Sequence, residues 1–165
     1  MSNNNKKFQS KRGRKASGSF LLLPHNVMNS ESFIALSGKA LKLLCDIAIQ
    51  FRGKNNGDLQ ATWHFMKKRG WKSRSTLWDA LQELLHYGLI EKTRQGGLNR
   101  CSLFALTWQS IDDCGGKLDV SATHVASGNW KTPKAKFEPS RKKIASTDPG
   151  TAQHDIRVSA LPLAA

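Results

Sequence analysis

Polar and basic side chains recur between residues 72 and 82, and their chemistry suits hydrogen bonding to nucleic acid. The guanidinium of Arg74 is a planar fork that can bond to O6 and N7 of guanine together, and the amide of Gln82 can address adenine. Ser75 or Thr76 suits a phosphate, through its hydroxyl or through free N–H groups at a helix start. The candidate binding residues of this stretch are Lys72, Ser73, Arg74, Ser75, Thr76, Trp78 and Gln82.

Some of these side chains have simpler alternative roles. Ser73 can act only as a helix cap, and Arg74 can be an ordinary solvated charge. Tryptophan can stack on unpaired bases, but in so small a domain most tryptophans belong to the core or its edge. Trp78 is the expected exception, because its position faces away from a stripe of leucines. The tryptophans expected at the core or its edge are Trp63, Trp71 and Trp108.

Further cations lie in two predicted elements nearby. Lys67 and Lys68 end a predicted helix, where the helix dipole favours cations, and phosphate contact is the alternative role. A glycine pair at residues 96–97 marks a hairpin whose basic flanks can approach the DNA backbone or enter the minor groove. The alternative is that the glycines only make the turn. The candidate binding residues of this hairpin are Lys92, Arg94 and Arg100.

The beginning of the chain, residues 1–19, is predicted to be a disordered basic arm, since it contains almost nothing to bury. Arg12 and Arg14 flank a glycine, as in the Arg-Gly-Arg core of a minor-groove AT-hook, but the flanking prolines of that motif are missing. A generic polycation is the simpler interpretation, and it would raise affinity through counterion release.

Positive charge is spread over the whole chain of 165 residues, whose formal net charge is +14. Residues 1–20 contribute +6, residues 21–113 contribute +4 and residues 114–165 contribute +4. Such a distribution points to a polyanionic partner: DNA, RNA or an anionic membrane. The membrane is the weakest choice, because no apolar run approaches the roughly 20 residues that span a bilayer. Residues 20–23 are also too short for a signal peptide, so we expect a cytoplasmic protein.

Catalytic and metal-binding patterns are missing from the sequence. The five histidines are dispersed, and the three cysteines are far apart, without a C-x-x-C pair. There is no phosphate-binding glycine loop and no nucleophile elbow. The sequence therefore predicts a protein that is not an enzyme and that needs neither a cofactor nor a metal.

Apolar residues recur at helical spacing in three stretches, which predict helices at residues 37–51, 62–69 and 73–87. Each begins with a serine or threonine that can act as the N-cap. Gly70 and Gly88 suit the left-handed position that follows a helix end. The predicted core stripe of the first helix consists of Ala40, Leu41, Leu44, Ile47, Ala48 and Phe51, with Cys45 as a small core residue.

The pattern then changes to strands at residues 89–94 and 100–108 around a glycine-containing turn, with a further short strand near Leu59. Alternation places Phe104, Leu106 and Trp108 on one side of the second strand. The predicted fold is mainly α with a small β-hairpin (α+β): a winged helix-turn-helix core. The predicted domain covers residues 20–113, and residues 114–165 are predicted to be a largely disordered basic tail, with local docking near residues 118–125.

Several short strings in this region resemble winged-helix proteins of bacterial prophages and other mobile elements. They include Asn55 to Leu59, Lys68 to Trp71, Ser75 to Leu77, Thr93 to Gly97 and Leu106 to Trp108. The resemblance covers about residues 30 to 120 and implies DNA binding. Similar domains occur in transcription regulators and at the front of phage and plasmid replication initiators, so the resemblance does not choose between these roles.

The leading hypothesis is a sequence-specific double-stranded DNA-binding protein that regulates transcription of a mobile element. A replication-initiation or accessory protein is the nearest alternative. A different class is a protein-interaction module, such as a phage-encoded inhibitor of a host complex, and RNA binding is a further option that the basic tails favour. A homodimer is a further expectation, as is a protein partner bound through the tail.

Overall fold

The computed structural model describes residues 20–139, and these form a mixed α+β domain with five α-helices and one three-stranded antiparallel sheet. The helices and strands are α1 (His25–Met28), α2 (Glu31–Ile34), α3 (Gly38–Ala48), β1 (Leu59–Gln60), α4 (Trp63–Lys68), α5 (Arg74–His86), β2 (Ile90–Arg94) and β3 (Leu103–Leu106). Two 3-10 turns follow, at Cys114–Gly116 and Asn129–Lys131. The three predicted helices and the predicted strands are confirmed as α3, α4, α5 and β1 to β3. Arg12 and Arg14, like the end of the tail, lie outside the described residues.

The predicted N-caps are confirmed for two of the three helices. Ser37 and Ser73 each accept a hydrogen bond from the backbone N–H three residues further on, at 3.2 and 3.4 Å. Thr62 occupies the third N-cap position, but its hydroxyl donates to Oε1 of Gln60 at 2.9 Å and does not cap α4. The prediction for Thr62 was therefore wrong, because its hydroxyl is hydrogen-bonded to the nearby side chain of Gln60 instead of to the backbone of α4.

The buried face of α3 is rotated around the helix relative to the stripe that the sequence predicted. It consists of Ala40, Leu43, Leu44, Asp46, Ile47 and Ala48. Leu41 and Cys45 were expected in the core, yet both are exposed, as is Ile49. These three residues are four apart and share one side of the helix, which faces away from the packing with α5. A helix buries only the side that its neighbours cover, so an apolar stripe can be wider than the contact.

The sheet has the strand order β1-β3-β2, so β3 is the central strand. Phe104 pairs with Leu59 on one side and with Lys92 on the other. Phe104 and Leu106 join the main core and Trp108 packs against it, as the alternation predicted. Leu103 and Ala105, which point to the opposite face of the sheet, are buried as well. That second face is therefore also covered.

The chain beyond β3 returns across the sheet, which differs from the disordered tail predicted for residues 114–165. The N–H of Asp119 donates to the carbonyl of Thr93 at 2.9 Å, and the N–H of Gly128 donates to that of Thr107 at 2.8 Å. Trp130 is buried in the main core. Docking near residues 118–125 was predicted, and these contacts agree with it. The disorder predicted for the rest of residues 114–139 was wrong, because the contacts join positions far apart in the sequence and leave no periodic pattern.

Candidate nucleic-acid interface

The outer side of α5 carries three of the predicted binding residues in one line. Arg74, Trp78 and Gln82 are four residues apart, so they lie above one another on the helix surface. The opposite side of the helix enters the core through Leu77, Ala80, Leu81 and Leu84. Trp78 is 60% exposed, which confirms the expectation that this tryptophan faces away from the stripe of leucines. We call Arg74, Trp78 and Gln82 the outer line of α5.

The first turn of α5 is held by its own hydroxyl groups. The Ser73 hydroxyl accepts the N–H of Thr76 and lies 2.8 Å from the hydroxyl of Ser75. Ser73 thus acts as the cap, which was its simpler predicted role. Ser75 and Thr76 are half-buried. The N-terminal end of α5 therefore presents hydroxyl groups and backbone N–H groups, which are suited to binding anions.

Arg74 is positioned by an aromatic ring of the preceding helix. Its guanidinium carbon lies 5.5 Å from the ring centroid of Trp63, within the range of a cation–π contact. Trp63 begins α4, so the contact joins the starts of the two helices. This contact restricts the rotamers of a long side chain that is exposed to solvent.

Five of the predicted cations carry unbalanced charge. Among residues 20–139, none of the five has a carboxylate oxygen within the 4.0 Å of an ion pair. All five are exposed. Lys92 donates to the neutral amide of Gln95 at 2.9 Å, which leaves its charge uncompensated. These cations are Lys67, Lys68, Lys72, Arg74 and Lys92.

Arg94 and Arg100 differ from this group because the fold uses both. The Nε and Nη2 atoms of Arg94 donate to the carbonyl of Cys101 at 3.1 Å, which ties the two strands of the hairpin together. Arg100 forms an ion pair with Asp119 at 2.8 Å. The structure therefore gives Arg94 hydrogen bonds within the hairpin and gives Arg100 an ion pair, and the DNA contacts predicted for both stay predictions.

Asp119 is a positioning residue that the sequence did not reveal. One carboxylate oxygen accepts the N–H of Gln95 at 2.7 Å, and the other accepts from Arg100. The carboxylate thereby bridges both ends of the hairpin loop. Asp119 is about twenty residues away along the chain. It lies in the segment near residues 118–125 for which docking was expected, but no local signal identified it as a partner of the hairpin.

The glycine pair of the hairpin loop is explained by packing at one position only. A Cβ on Gly96 would lie 2.8 Å from the backbone nitrogen of Ser102, so a side chain does not fit there. Gly97 faces open space. Leu98 follows at the tip and is 95% exposed. The tight packing of the hairpin loop therefore explains Gly96 without any contact with DNA.

A cleft separates the outer side of α5 from the β2–β3 hairpin. Its volume is about 390 Å³. We call it the α5–hairpin cleft. It brings Trp78 and Gln82 of α5 next to Lys92 of β2, residues that are ten or more apart in sequence. Trp63, Leu85 and Phe104 also line it. The predicted site residues of the helix and of the hairpin therefore share one surface.

A buried carboxylate supports the turn between α4 and α5. Asp46 of α3 accepts from Lys42 Nζ at 2.6 Å, from Arg69 Nε at 2.7 Å and from Trp71 Nε1 at 2.8 Å. Burial by itself raises the pKa of Asp46, but these three hydrogen bonds and the charge of Lys42 outweigh it, so the pKa lies below its ordinary value. The ionised carboxylate fixes the turn, and with it the direction of α5.

Searches against protein-family models, curated proteins and solved structures found no match to this chain. Within residues 20–139, His, Cys, Asp and Glu side chains do not gather in threes as metal ligands do. No helix in that range is both long enough and apolar enough to cross a bilayer.

Proposed function

We propose that this chain is a sequence-specific double-stranded DNA-binding protein of the winged-helix type. In this proposal α4 and α5 form the helix-turn-helix, α5 enters the major groove, and the β2–β3 hairpin is the wing. We take regulation of transcription in a mobile element as its role, with replication initiation as the alternative, since the sequence resemblance covers both.

The observation that carries the proposal is the outer line of α5 together with the uncompensated cations around it. The major groove is about 12 Å wide and admits an α-helix. Arg74 and Gln82 offer the two side-chain types that bond bidentately to guanine and to adenine, on one side of one helix. Lys72 directly precedes α5, and Lys67 and Lys68 end α4 just before the turn that leads into it; in this proposal the three bind DNA phosphates.

Each residue then has a distinct role in binding. Arg74 reads a guanine, held in place by its stacking on Trp63. The Gln82 amide, which has no hydrogen-bond partner in the described part of the chain, reads an adenine. Ser75 and the free N–H groups of the first turn bind phosphate. Lys92 binds the backbone beside the wing.

A protein-interaction module is the second candidate, and one observation favours it. Leu41, Cys45 and Ile49 expose an apolar line on α3, and Phe20 and Leu22 are exposed beside the same surface. Exposed apolar patches commonly mark contacts with another protein or with a second copy. A chain that fails to bind nucleic acid at low salt would favour this candidate.

Replacing Arg74 with alanine is expected to weaken binding to the preferred duplex by about 1 to 3 kcal/mol and to relax the base preference at one position. The reason is the loss of a bidentate contact to a base edge. The measurement is selection from a random-sequence duplex pool with the wild-type protein, followed by titration of the enriched and scrambled duplexes over a salt series.

Arg52→Ala is the matched control, since Arg52 is an exposed arginine beyond the end of α3. We expect it to leave the selected motif unchanged. Equal affinity for every sequence, with a steep salt dependence and no effect of Arg74→Ala, would contradict sequence-specific binding and leave only electrostatic attraction.

A further inference from the structure

The α5–hairpin cleft has a lining that a paired duplex does not need. Trp63, Trp78 and Phe104 give it aromatic surface, and Leu81 and Leu85 add aliphatic surface. The bases of a paired duplex present only their edges in the grooves, because their faces are stacked on one another. An exposed indole such as Trp78 therefore has no aromatic face to pack on in an intact duplex.

Polar groups complete the chemistry of this cleft. Gln82 offers an amide donor and an amide acceptor that no other residue in the range 20–139 occupies. Lys92 brings an uncompensated positive charge from the hairpin, and Arg74 brings another beside Trp63. An aromatic surface, a free amide and two cations match the face, the edge and the phosphates of one nucleotide.

We infer that the α5–hairpin cleft binds one unpaired nucleobase of a DNA strand. The inference rests on the proposed DNA binding and adds a second ligand form to it. The base stacks on Trp78, its edge bonds to the amide of Gln82, and its flanking phosphates lie along Lys92 and Arg74. The cleft volume of about 390 Å³ lies in the lower part of the range of small-ligand sites.

The base must already be unpaired for binding to be efficient. Extruding a base from an intact duplex costs its pairing and stacking free energy, whereas a bulged or single-stranded base avoids most of that cost. The ligand is therefore a duplex that contains an unpaired nucleotide, or the junction between double-stranded and single-stranded DNA.

The test compares three duplexes of one sequence: fully paired, with one extra unpaired adenine nucleotide, and with an abasic residue in the bulge. The abasic bulge keeps the flexibility and the phosphate of the bulge but lacks the base. We expect the full-length protein to bind the adenine bulge about tenfold more tightly than the abasic bulge. This is the size of effect that the stacking of one base on an aromatic side chain produces. Anisotropy titration at fixed salt measures this ratio.

Variants then locate the base. Trp78→Ala is expected to reduce the tenfold ratio to about one, and Trp78→Phe to retain most of it, since stacking needs only an aromatic face. Ile34→Ala is the matched control, because Ile34 is 71% exposed on α2 and does not line the cleft; its ratio should stay at tenfold. Circular dichroism checks that each variant is folded.

Three results would overturn the inference. Equal binding of the adenine and abasic bulges by the wild-type protein would show that bulge flexibility alone is read, and the proposed duplex binding would still stand. A ratio that survives Trp78→Ala would place the base elsewhere. Failure to bind any of the three duplexes at low salt would overturn both the cleft inference and the proposed function.

Discussion

Replacing Asn56 with alanine is expected to lower the free energy of unfolding by about 3 to 5 kcal/mol, which is a large part of the stability of an ordinary domain. Asn56 is fully buried. Its side chain accepts the N–H of Leu106 at 2.7 Å and donates to the carbonyls of Leu106 and Ser110 at 3.0 and 2.9 Å. It therefore joins the loop before β1 to the end of β3.

The size of this effect follows from what the substitution leaves behind. Alanine removes the amide but not its backbone partners. The N–H of Leu106 loses its acceptor and the carbonyl of Ser110 loses a donor, at about 1 to 3 kcal/mol each, whereas the carbonyl of Leu106 keeps the N–H of Gln109. A small cavity adds to the loss. Urea unfolding, followed by tryptophan fluorescence and by circular dichroism, measures the change as a lower midpoint with an unchanged slope.

Asn55→Ala is the matched control for Asn56→Ala. Asn55 is the neighbouring asparagine and is only half-buried. It accepts the N–H of Arg52 at 2.6 Å and donates to the carbonyl of Gln50 at 2.9 Å. Water can replace these bonds, so we expect a loss of about 1 kcal/mol. If the two variants lost the same free energy of unfolding, the large contribution proposed for the buried amide of Asn56 would be contradicted.

Replacing Asp46 with alanine is expected to cost about 2 to 3 kcal/mol of stability at neutral pH. The indole N–H of Trp71 is buried and would lose its acceptor. The side chains of Lys42 and Arg69 are 48% and 33% exposed, so water would take over most of their hydration. For that reason we place the loss below the range for a fully buried ion pair.

Asp46 should also make the stability depend on pH. Folding lowers the pKa of this carboxyl, so its stabilisation is fully present above the pKa in the unfolded chain, about 3.9, and is lost as the pH falls through the lower pKa of the folded state. The stability difference between the wild-type protein and Asp46→Asn isolates this contribution from that of other carboxyl groups. It should shrink between pH 7 and about pH 2.

Asp113→Asn serves as the control for both Asp46 experiments, because Asp113 is exposed and forms no ion pair with residues in the described range. We expect it to change stability by less than about 0.5 kcal/mol at neutral pH. A constant difference between wild type and Asp46→Asn down to acid pH would refute the lowered pKa.

The contrast between Asn55 and Asn56 shows how far local sequence could predict this fold. Asparagine and glycine favour turns, and the chain turns at Asn56 and Gly57. The Asn-Asn-Gly string did not distinguish a half-exposed asparagine from one that is completely buried, because the partners of Asn56 lie about fifty residues away. Asp46 is similar. The core stripe predicted for its helix consisted of apolar residues only, and it did not show that this carboxylate would be buried.

In the candidate site, too, some features could be predicted from local sequence and others could not. The outer line of α5 followed from helical spacing once Leu77 and Leu84 were assigned to the core. The sequence could not show that Arg94 bonds within its hairpin or that Arg100 pairs with Asp119. The partner of Arg100 depends on where the chain runs after β3, a segment without a periodic signal, and the partner of Arg94 depends on how the hairpin loop closes before β3.

The sequence by itself determined the order of α3, β1, α4, α5, β2 and β3, two of the three predicted helix caps and the positive charge of every segment. These features depend on residues within a few positions of one another or on composition, so they can be read locally. Only the tertiary structure decided which of the basic candidates among residues 20–139 remain unpaired and that α5 and the hairpin enclose a common cleft. The physical reason is that ion pairs, buried amides and clefts depend on long-range packing, which brings distant residues together without a local pattern.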